Sequence, residues 1–389
     1  MRGEVLKRRL SVLCVFGTRP EAIKMAPLVL LLKREPDIRP IVVVTAQHRE
    51  MLDQVLDIFS IRPDYDLDLM RPGQTLTQVT CGVLTGLEAI IAREDPDLVL
   101  VHGDTTTSMA AALASYYGRR PLGHVEAGLR TGDKYNPYPE EMNRRITSNL
   151  GDLHFSPTAA AKGNLLAEGV PEEKIYVTGN TVVDALRYII EHHRSFSDPA
   201  LERLVESTAR LILLTAHRRE SWGAGLREIF AAVRDLVRDF SDVQVVFPVH
   251  RNPVVRDQAT AAFGGQERIH LIPPPAYNDF VRLMQRAYLV LTDSGGIQEE
   301  APGLGVPVVV LRNTTERPEG LATGNAVLAG TRREGIYRLV ADLLQDREKH
   351  RQMALAPNPY GDGKASVRIR DAIYHHFGRI ANRPRDYVI

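Results

Sequence analysis

The sequence predicts an α/β protein of two Rossmann-like, doubly wound domains, each built on a parallel sheet. Short runs of β-branched residues and leucine alternate with longer amphipathic segments from one end of the chain to the other. The length of 389 residues also fits two domains of about 100–200 residues each. Because ligands of such sheets bind at the carboxyl ends of the strands, two facing sheets predict one shared cleft.

The first series of elements lies in the N-terminal half. Strands are expected where apolar runs are nearly continuous, as parallel sheets require: Leu10–Phe16, Pro40–Thr45, Asp97–His102, Pro121–Glu126 and Leu153–Ser156. Helices are expected where apolar residues recur every three or four positions behind an opening Thr or Pro: Pro20–Arg34, Thr75–Arg93 and Thr105–Tyr117. These elements alternate, so they predict the first domain.

The second series begins near Arg210 and repeats the same alternation. Its predicted strands are Leu211–Thr215, Val243–Val249, Ile269–Ile272, Leu289–Thr292 and Val306–Leu311. Its predicted helices are Leu226–Phe240, Pro253–Phe263 and Tyr277–Arg286. A charged helical stretch, Thr181–Thr208, joins the two series and contains Ser197-Asp198-Pro199, the expected hinge.

Composition and charge exclude several classes of protein. Lys and Arg number 49 against 48 Asp and Glu, a formal net charge of +1, so no global field favours nucleic acid or anionic lipid. The longest apolar stretch, Met25–Leu32, is far shorter than the ~20 residues of a membrane helix. The two cysteines, Cys14 and Cys81, lie in apolar segments, which argues against a disulfide scaffold and favours the cytoplasm.

The turn between the first strand and the first helix is a candidate anion site. Gly17-Thr18-Arg19-Pro20-Glu21 begins a helix whose free N–H groups and dipole favour an anion. Arg19 adds a guanidinium fork, and Lys24 lies one turn further on the same side. The alternative is an ordinary capped turn with a surface arginine. The motif is not GxGxxG, so it gives a dinucleotide cofactor little support.

Acidic residues stand on three successive connections of the first predicted sheet. Asp104 follows one strand, Glu126 closes the next, and Glu140 lies in the first turn of a helix. Taken singly, Asp104 as a helix N-cap and Glu140 as a dipole-stabilising acid are ordinary alternatives. Together the three predict a cluster whose mutual repulsion raises a pKa enough for general acid–base catalysis.

Histidines follow two strands of the second predicted sheet. His217 stands beside Arg218 at the end of one strand and titrates near neutral pH, although a structural histidine is the alternative. His250 ends the next strand. The adjacent pairs His192-His193 and His375-His376 lack further ligands at metal-binding spacing, so they are interpreted as helix-surface residues and no metal site is expected.

The segment Thr292–Glu300 is the strongest nucleotide-binding signal. A buried strand runs into Ser294-Gly295-Gly296, whose small size lets a phosphate approach the N–H groups of the following helix. Glu300 can accept hydrogen bonds from both ribose hydroxyls, and Arg317 adds a cation after the next strand. The alternative is a tight strand-to-helix turn. The second domain is therefore predicted to hold a nucleoside diphosphate while the first presents acids.

The motifs together resemble those of the non-hydrolysing UDP-N-acetylglucosamine 2-epimerases, which share the two-domain GT-B architecture of glycosyltransferases. A single motif is weak, but the ordered set is specific and spans nearly the whole chain: Phe16–Glu21, His102–Thr107, His124–Arg130, Pro139–Arg144, His217–Glu220, Asp293–Gly296, Thr315–Pro318 and Asn358–Gly363. The resemblance implies an N-terminal domain over residues 1–180, a C-terminal domain over 181–365, and a final helical segment, 366–389, that returns to the first domain.

The resemblance implies reversible epimerisation at C2 between UDP-N-acetylglucosamine (UDP-GlcNAc) and UDP-N-acetylmannosamine (UDP-ManNAc). Family members eliminate UDP to give 2-acetamidoglucal and add it back after protonation on the opposite face. Motif matches make Asp104, Glu126 and Glu140 the acid–base candidates and place His217 near the leaving diphosphate. The UDP-binding matches are Arg19, Lys24, Phe280, Ser294, Gly295, Gly296, Glu300 and Arg317. The reaction is redox-neutral and needs no metal or nicotinamide cofactor, and a cytoplasmic homodimer serving cell-surface polysaccharide biosynthesis is expected.

Many bacterial members are activated by UDP-GlcNAc bound at a second site beside the first. Gln47, Arg218 and His250 match that site, whereas Glu50 and Gly73 stand where such members have Gln and Arg. An added acid and a lost guanidinium both weaken the binding of a diphosphate. Weak or absent substrate activation is therefore predicted.

Three alternatives stay open at this point. A GT-B glycosyltransferase would use a UDP-sugar in the same way, but it has no evident need for three acids in the first domain. A catalytically idle sugar-nucleotide sensor would not need the acids or His217. A 2-epimerase of a UDP-2,3-diacetamido sugar would keep the mechanism and change the substrate.

Overall fold

A computed structural model describes residues 8–45, 49–71, 73–207, 209–218 and 221–389. Within them the chain divides into two units. The first comprises the described residues up to Ala185 together with Gly361–Val388, and the second comprises Leu186–Tyr360 and the terminal Ile389. The division falls inside the helix Thr181–His192, whereas the sequence analysis placed the domain boundary at the start of that helix.

The described part of the first unit contains a parallel sheet in the strand order β3-β2-β1-β4-β5-β6-β7. Its strands are β1 (Leu10–Phe16), β2 (Ile38–Val44), β3 (Tyr65–Asp66), β4 (Leu98–His102), β5 (Leu122–Val125), β6 (Leu153–Ser156) and β7 (Ile175–Val177). Its helices are α1 (Arg19–Arg34), α2 (Arg49–Ile58), α3 (Leu76–Glu94), α4 (Thr106–Tyr117), α5 (Glu140–Leu150), α6 (Ala159–Ala167) and α7 (Thr181–His192).

The second unit contains a parallel sheet in the order β10-β9-β8-β11-β12-β13 within its described residues. Its strands are β8 (Arg210–Thr215), β9 (Val243–Pro248), β10 (Ile269–Ile272), β11 (Leu289–Thr292), β12 (Val308–Val310) and β13 (Ala326–Leu328). The remaining helices are α8 (Pro199–Val205), α9 (Ala224–Asp239), α10 (Pro253–Phe263), α11 (Tyr277–Arg286), α12 (Gly295–Glu300), α13 (Pro318–Thr323), α14 (Arg333–Gln345), α15 (Arg347–Leu355) and α16 (Ala365–His376). The predicted fold class, two doubly wound parallel sheets, is confirmed.

The charged stretch predicted as one helical segment over Thr181–Thr208 contains two helices. The first, α7, ends at His192, and α8 begins at Pro199, where Asp198 Oδ1 accepts the N–H of Ala200 at 2.8 Å. A proline at the first helical position and an aspartate before it define a new helix start. The break between the two helices at Ser197-Asp198-Pro199 therefore has a local physical cause.

The last helix, α16, packs against α1 of the first unit. The Asp184 carboxylate accepts hydrogen bonds from the first backbone N–H groups of α16, those of Ala365 at 3.1 Å and Ser366 at 2.8 Å. Arg370 and Tyr374 each donate to the Glu35 carboxylate, at 2.8 and 3.0 Å. These bonds fix the helix at both its N-terminus and its exposed face.

Each sheet is covered by helices that bury its apolar strands. Leu13 and Val101 of the first sheet pack with Val83 and Leu87 of α3. In the second unit, Phe247 of β9 packs with Phe230 and Phe263. Among the described helices, none has the length and apolar character needed to cross a membrane.

Candidate active site

Both sheets have one point where the strand order reverses, and the predicted site residues lie there. In the first sheet this point is between β1 and β4, whose following turns carry Arg19 and Asp104. In the second it is between β8 and β11, which are followed by His217 and Ser294. Neighbouring connections leave on opposite faces at such a point and open a crevice for ligands.

Glu21 joins two of the turns in the first unit, although the sequence analysis did not single it out. Its Oε2 accepts the N–H groups of Gly17 and Thr18 at 3.0 and 2.7 Å, and its Oε1 accepts the hydroxyls of Thr105 and Ser108 at 2.7 and 2.8 Å. Burial raises the pKa of this carboxyl above its ordinary value, and the four hydrogen bonds oppose that rise. Glu21 thus ties the turn after β1 to the start of α4.

The candidate anion turn after β1 is also a capped helix start. Thr18 and Glu21 form a capping box at the N-terminus of α1, so the alternative of an ordinary capped turn describes its backbone. Arg19 is the first residue of that helix and is half-buried. Lys24, one turn further on, forms an ion pair with Glu126 Oε1. Lys24 is thereby held by one of the three candidate acids.

Glu126 lies directly after β5 in an unusual backbone conformation. Its φ of 63° is in the left-handed region, where a residue with a side chain is strained. Besides Lys24, the Nδ2 of Asn180 donates to Oε1 at 2.9 Å, and Oε2 lies 3.9 Å from Nε2 of His102. Burial lowers the pKa of His102 to about 4, so this imidazole is neutral near pH 7.

Asp104 lies after β4 and contacts helix α5. Arg144 Nη2 donates to Asp104 Oδ2 at 2.6 Å, and Asn143 donates to the Asp104 carbonyl at 2.9 Å. Burial raises the pKa of Asp104 above its ordinary value; Arg144 opposes the rise, and the nearby Glu126 charge adds to it. Thr105 is the N-cap of α4, so the alternative interpretation of Asp104 as an N-cap is wrong.

The adjacent acids Glu140 and Glu141 have different surroundings. Glu141 is fully buried and accepts hydrogen bonds from the Thr131 N–H at 3.0 Å and Arg144 Nη1 at 3.1 Å. Burial by itself would raise the pKa of Glu141, but these and further donors hold it below its ordinary value. Glu140 begins α5, and its buried Oε2 has no hydrogen-bond partner among the described residues. Glu141 is therefore structural, whereas Glu140 has an oxygen available to a ligand.

In the second unit, Asp293 organises the turn that carries His217. Asp293 is fully buried, and its Oδ2 accepts the N–H groups of His217 and Arg218 at 2.7 and 2.8 Å. Its Oδ1 lies 3.3 Å from His217 Nδ1. Burial lowers the pKa of His217, and the Asp293 charge opposes that shift. The sequence analysis included Asp293 in a motif but gave it no role of its own, although an acid at a strand end was the same signal that identified Asp104.

The predicted phosphate turn, Ser294-Gly295-Gly296, begins α12 as expected. A Cβ built on Gly295 would lie 2.8 Å from Glu316 Oε1, whereas one on Gly296 would have its nearest contact, with Glu300, at 3.6 Å. Glu316 is fixed there by Arg218, at 3.0 Å, and by Arg312. A side chain at Gly295 would therefore have to displace the Glu316 carboxylate, whereas one at Gly296 would meet only ordinary contacts.

The other predicted nucleotide ligands lie on neighbouring elements of the second unit. Arg317 forms an ion pair with Glu299, a buried residue that the sequence analysis did not identify. Glu300 ends α12 and Phe280 lies in α11, and both side chains are half-buried. Arg317 is thus held by a carboxylate, which orients its guanidinium group.

The residues matched to a second nucleotide site divide between described and undescribed parts of the chain. Gln47 lies outside the described residues. His250 stacks on His217, with ring centroids 5.4 Å apart and planes at 9°, and Arg218 is bonded to Glu316. Arg218 and His250 therefore belong to the same cluster as His217.

Metal binding and enclosed cavities do not point to another centre in the described part of the chain. No group of three or more His, Cys, Asp or Glu residues there could hold a metal ion. A cavity of about 540 Å³ lies between α3 and α4, lined by residues such as Ile91, Tyr117 and Arg120 and by no predicted site residue. The strand ends remain the candidate site.

Comparison with known proteins gives matches over almost the whole chain. A family model described as UDP-N-acetylglucosamine 2-epimerase matches residues 31–374. The UDP-N-acetylglucosamine 2-epimerase of Bacillus subtilis is 52% identical, over 98% of this chain and 99% of its own.

Solved structures give the same result. The UDP-GlcNAc 2-epimerase of Neisseria meningitidis bound to UDP-GlcNAc has a TM-score of 0.85 and 46% identity, covering 94% of this chain and 99% of that chain. The Methanocaldococcus jannaschii enzyme, in complex with UDP-GlcNAc and UDP, has a TM-score of 0.78 and 32% identity, covering 94% and 100%.

Proposed function

The chain belongs to the UDP-N-acetylglucosamine 2-epimerase family, and we propose that it interconverts UDP-GlcNAc and UDP-ManNAc by eliminating UDP and adding it back. The full-length match to the Bacillus subtilis enzyme carries this proposal. In the elimination, a base takes the C2 proton, the C1–O bond breaks, and its electron pair leaves on the β-phosphate of UDP. The resulting 2-acetamidoglucal takes a proton on the opposite face of C2 while UDP returns to C1.

The acids of the first unit are assigned to proton transfer at C2. The C2 hydrogen has no adjacent carbonyl group to acidify it, so its removal has to be coupled to departure of the diphosphate. Two faces of C2 require two proton-transfer groups or one that moves, and the proposal assigns this work to Asp104, Glu126 and Glu140. The pKa of Asp104, which burial raises above its ordinary value, supports its assignment to general acid–base catalysis.

The second unit is assigned to the nucleotide and to the departing charge. Asp293 Oδ1 near His217 Nδ1 favours an N–H at that position, so Nε2 of His217 donates to the phosphate only when the ring is the imidazolium, the form that the Asp293 charge favours. The proposed ligands of UDP are Ser294, Gly295 and Gly296 for phosphate, Glu300 for ribose, Phe280 for uracil, and the cations Arg19, Lys24 and Arg317. Cations at the leaving group stabilise the charge that develops as the C1–O bond breaks.

We also propose that the protein is a cytoplasmic homodimer that serves cell-surface polysaccharide biosynthesis, as the family resemblance implies. Cys14 is a buried free thiol and Cys81 an exposed one, which supports a reducing compartment. Sedimentation equilibrium of the purified protein should give twice the mass of one chain, and a monomer mass would contradict the dimer.

Incubation with UDP-GlcNAc alone in deuterated water tests the reaction. We expect UDP-ManNAc to form, with deuterium at C2 of both sugars, because the exchanged proton equilibrates with solvent. UDP-GlcNAc labelled with ¹⁸O between C1 and phosphorus should also scramble its label into the non-bridging β-phosphate oxygens. Epimerisation without C2 deuterium or without scrambling would contradict the elimination mechanism.

The same incubation separates the proposal from the alternatives. A glycosyltransferase given no acceptor, or a sensor, would return UDP-GlcNAc with protium at C2. An enzyme for UDP-2,3-diacetamido sugars would turn over that substrate with a higher kcat/KM than UDP-GlcNAc, so the two substrates should be compared at equal enzyme concentration.

A further inference from the structure

Asn180 lies between β7 and α7, at a position in the sequence outside the predicted motifs, and its side chain is buried. Its Oδ1 accepts the backbone N–H of Val182 at 3.0 Å. Because a backbone N–H can only donate, this bond fixes which end of the amide is oxygen. The other end, Nδ2, therefore points at Glu126 Oε1, 2.9 Å away, as a donor.

Glu126 Oε1 receives two donors from two different elements. Asn180 Nδ2 approaches from the start of α7 and Lys24 Nζ from α1. A carboxylate oxygen has two lone pairs, so these donors occupy both acceptor positions of Oε1. A proton placed on Oε1 would have to displace one of them. Oε2 lies on the other side of the carboxylate, 3.9 Å from Nε2 of His102.

We propose that Asn180 is a positioning residue of the epimerase reaction, which together with Lys24 keeps Glu126 Oε1 an acceptor and so makes Oε2 the oxygen that exchanges a proton with C2 of the sugar. The inference rests on the proposed function, in which Glu126 is an acid–base group. Charged and titratable groups that face Glu126 in the described part of the chain include Lys24, Asp104 and the neutral His102. Among them, only Lys24 donates to the carboxylate as a cation.

The backbone explains why Glu126 needs a second donor. Its left-handed conformation places the carboxylate at a sharp turn after β5, where Lys24 alone, a flexible side chain, would hold it loosely. The Asn180 side chain is rigid by comparison, because its Oδ1 accepts a hydrogen bond from the Val182 N–H in α7. The Asn180 backbone is also closely packed, since a Cβ at Gly361 would lie 3.4 Å from both its N and its O. A misplacement of about 1 Å at a catalytic group costs about 100-fold in rate.

Three substitutions separate positioning from helix capping. Asn180→Ser and Asn180→Asp keep an oxygen that can cap α7, but Ser is too short to reach Glu126 and Asp replaces the donor with a like charge. Asn180→Ala removes both functions. We expect kcat to fall about 100-fold in the Ser and Asp variants with little change in KM, while their urea midpoints stay near that of the wild type.

The pH dependence supplies a readout that a structural cap would not move. Loss of a hydrogen-bond donor destabilises an ionised carboxylate, so the acid limb of the kcat/KM profile should shift to higher pH in Asn180→Ser and further in Asn180→Asp. Asp198→Ala is the matched control, because it removes the N-cap of α8, an acceptor of the Ala200 N–H at 2.8 Å. That variant should lose stability and keep kcat and the pH profile.

Two outcomes would overturn the inference. If Asn180→Ser and Asn180→Asp keep the wild-type kcat and acid limb, Asn180 is only a helix cap. If both lose activity together with their urea midpoints, the loss is one of folding. Failure of the proposed function looks different: the wild-type protein itself would then incorporate no deuterium at C2 of UDP-GlcNAc.

Discussion

The three acids assigned to proton transfer differ in what surrounds them. Asp104 is half-buried and paired with Arg144, and its partial burial raises its pKa, whereas Glu126 accepts hydrogen bonds from Lys24 and Asn180 on one oxygen. Glu140 keeps one buried oxygen without a partner among the described residues. Carboxyl groups in unlike environments take unlike roles in acid–base catalysis. The contrast supports a division of labour rather than three equivalent acids.

Replacement of Asp104 by Asn should remove a proton-transfer group and preserve the local structure. The amide is isosteric with the carboxylate and leaves the bond from Asn143 to the Asp104 backbone in place. General acid–base groups contribute about 10²- to 10⁴-fold, so kcat for UDP-GlcNAc epimerisation should fall by that range. Steady-state assay by NMR of UDP-ManNAc measures the change.

Asp95→Asn is the matched control for that substitution. Asp95 is also paired with an arginine, Arg120 at 2.5 Å, but it ends α3 in a left-handed conformation that Asn accepts readily. This variant should keep the wild-type kcat. Full activity of Asp104→Asn would remove Asp104 from the catalytic set.

His154 should make the protein less stable in acid. Its ring is buried in β6, and burial lowers its pKa from 6.5 to about 4. The folded state therefore binds fewer protons than the unfolded state between these values, so stability is lost as pH falls through this window. Between pH 7 and pH 5 the loss due to His154 is about 2 kcal/mol in the free energy of unfolding.

Urea unfolding at the two pH values tests this histidine. In His154→Leu, the decrease in unfolding free energy from pH 7 to pH 5 should be about 2 kcal/mol smaller than in the wild type. The exposed His192 at the end of α7 provides the control, and His192→Leu should leave the decrease unchanged. Equal pH dependence in all three proteins would contradict the role of His154.

At the scale of elements, the two glycines in the turn from β11 to α12 allow the effect of packing and the effect of ligand binding to be measured separately. Gly295→Ala should lower stability and UDP affinity together, because its Cβ displaces Glu316 from Arg218. Gly296→Ala meets only ordinary contacts, and Ala in a helix stabilises by about 0.4–1 kcal/mol. If a phosphate approaches this turn, the Gly296 variant should have an equal or slightly higher melting temperature and a Kd for UDP that is raised about tenfold.

Calorimetric titration with UDP and a thermal melt of each variant measure both quantities. Unchanged UDP affinity in Gly296→Ala would show that no phosphate lies against this turn. Unchanged stability in Gly295→Ala would mean that Glu316 moves freely, against its two bonds to arginine.

Strands with a continuous apolar run could be predicted from the sequence, whereas edge strands of two or three residues could not. The strand predicted at Leu10–Phe16 matches β1, because seven buried residues leave a continuous apolar pattern. Strands β3, β7 and β13 were missed, since two or three residues at a sheet edge give no pattern of their own. The predicted strand Val306–Leu311 is shorter in the structure, Val308–Val310. Edge pairing depends on the neighbouring strand, so local residues do not encode it.

At the scale of the whole molecule, substrate activation is the property in which this chain should differ from many relatives. If Glu50 and Gly73 stand where activated family members have Gln and Arg, as the resemblance implies, turnover of UDP-ManNAc alone should be hyperbolic. Initial rates with and without UDP-GlcNAc measure this. A strict requirement for added UDP-GlcNAc would contradict the prediction.

The double variant Glu50→Gln/Gly73→Arg should gain activation by UDP-GlcNAc. Among the described residues, none lies within 4 Å of a Cβ built on Gly73, so the position has room for the start of a side chain, although φ of +74° costs about 1–2 kcal/mol for any side chain. Glu50→Gln/Gly73→Ala carries the same backbone cost without the guanidinium group and is the control. Identical kinetics of the two variants would mean that position 73 does not face the nucleotide.

The sequence by itself determined the alternation of strands and helices, the two sheets and the polar residues that end the central strands. These features are local, because they follow from periodicity and from the residues beside each strand end. Only the tertiary structure decided which of those residues meet. Lys24 and Glu126 are 102 positions apart, and Asn180 is a further 54 from Glu126. Their bonds form because strand order brings β1, β5 and β7 into one sheet, and strand order is set by packing of the whole chain.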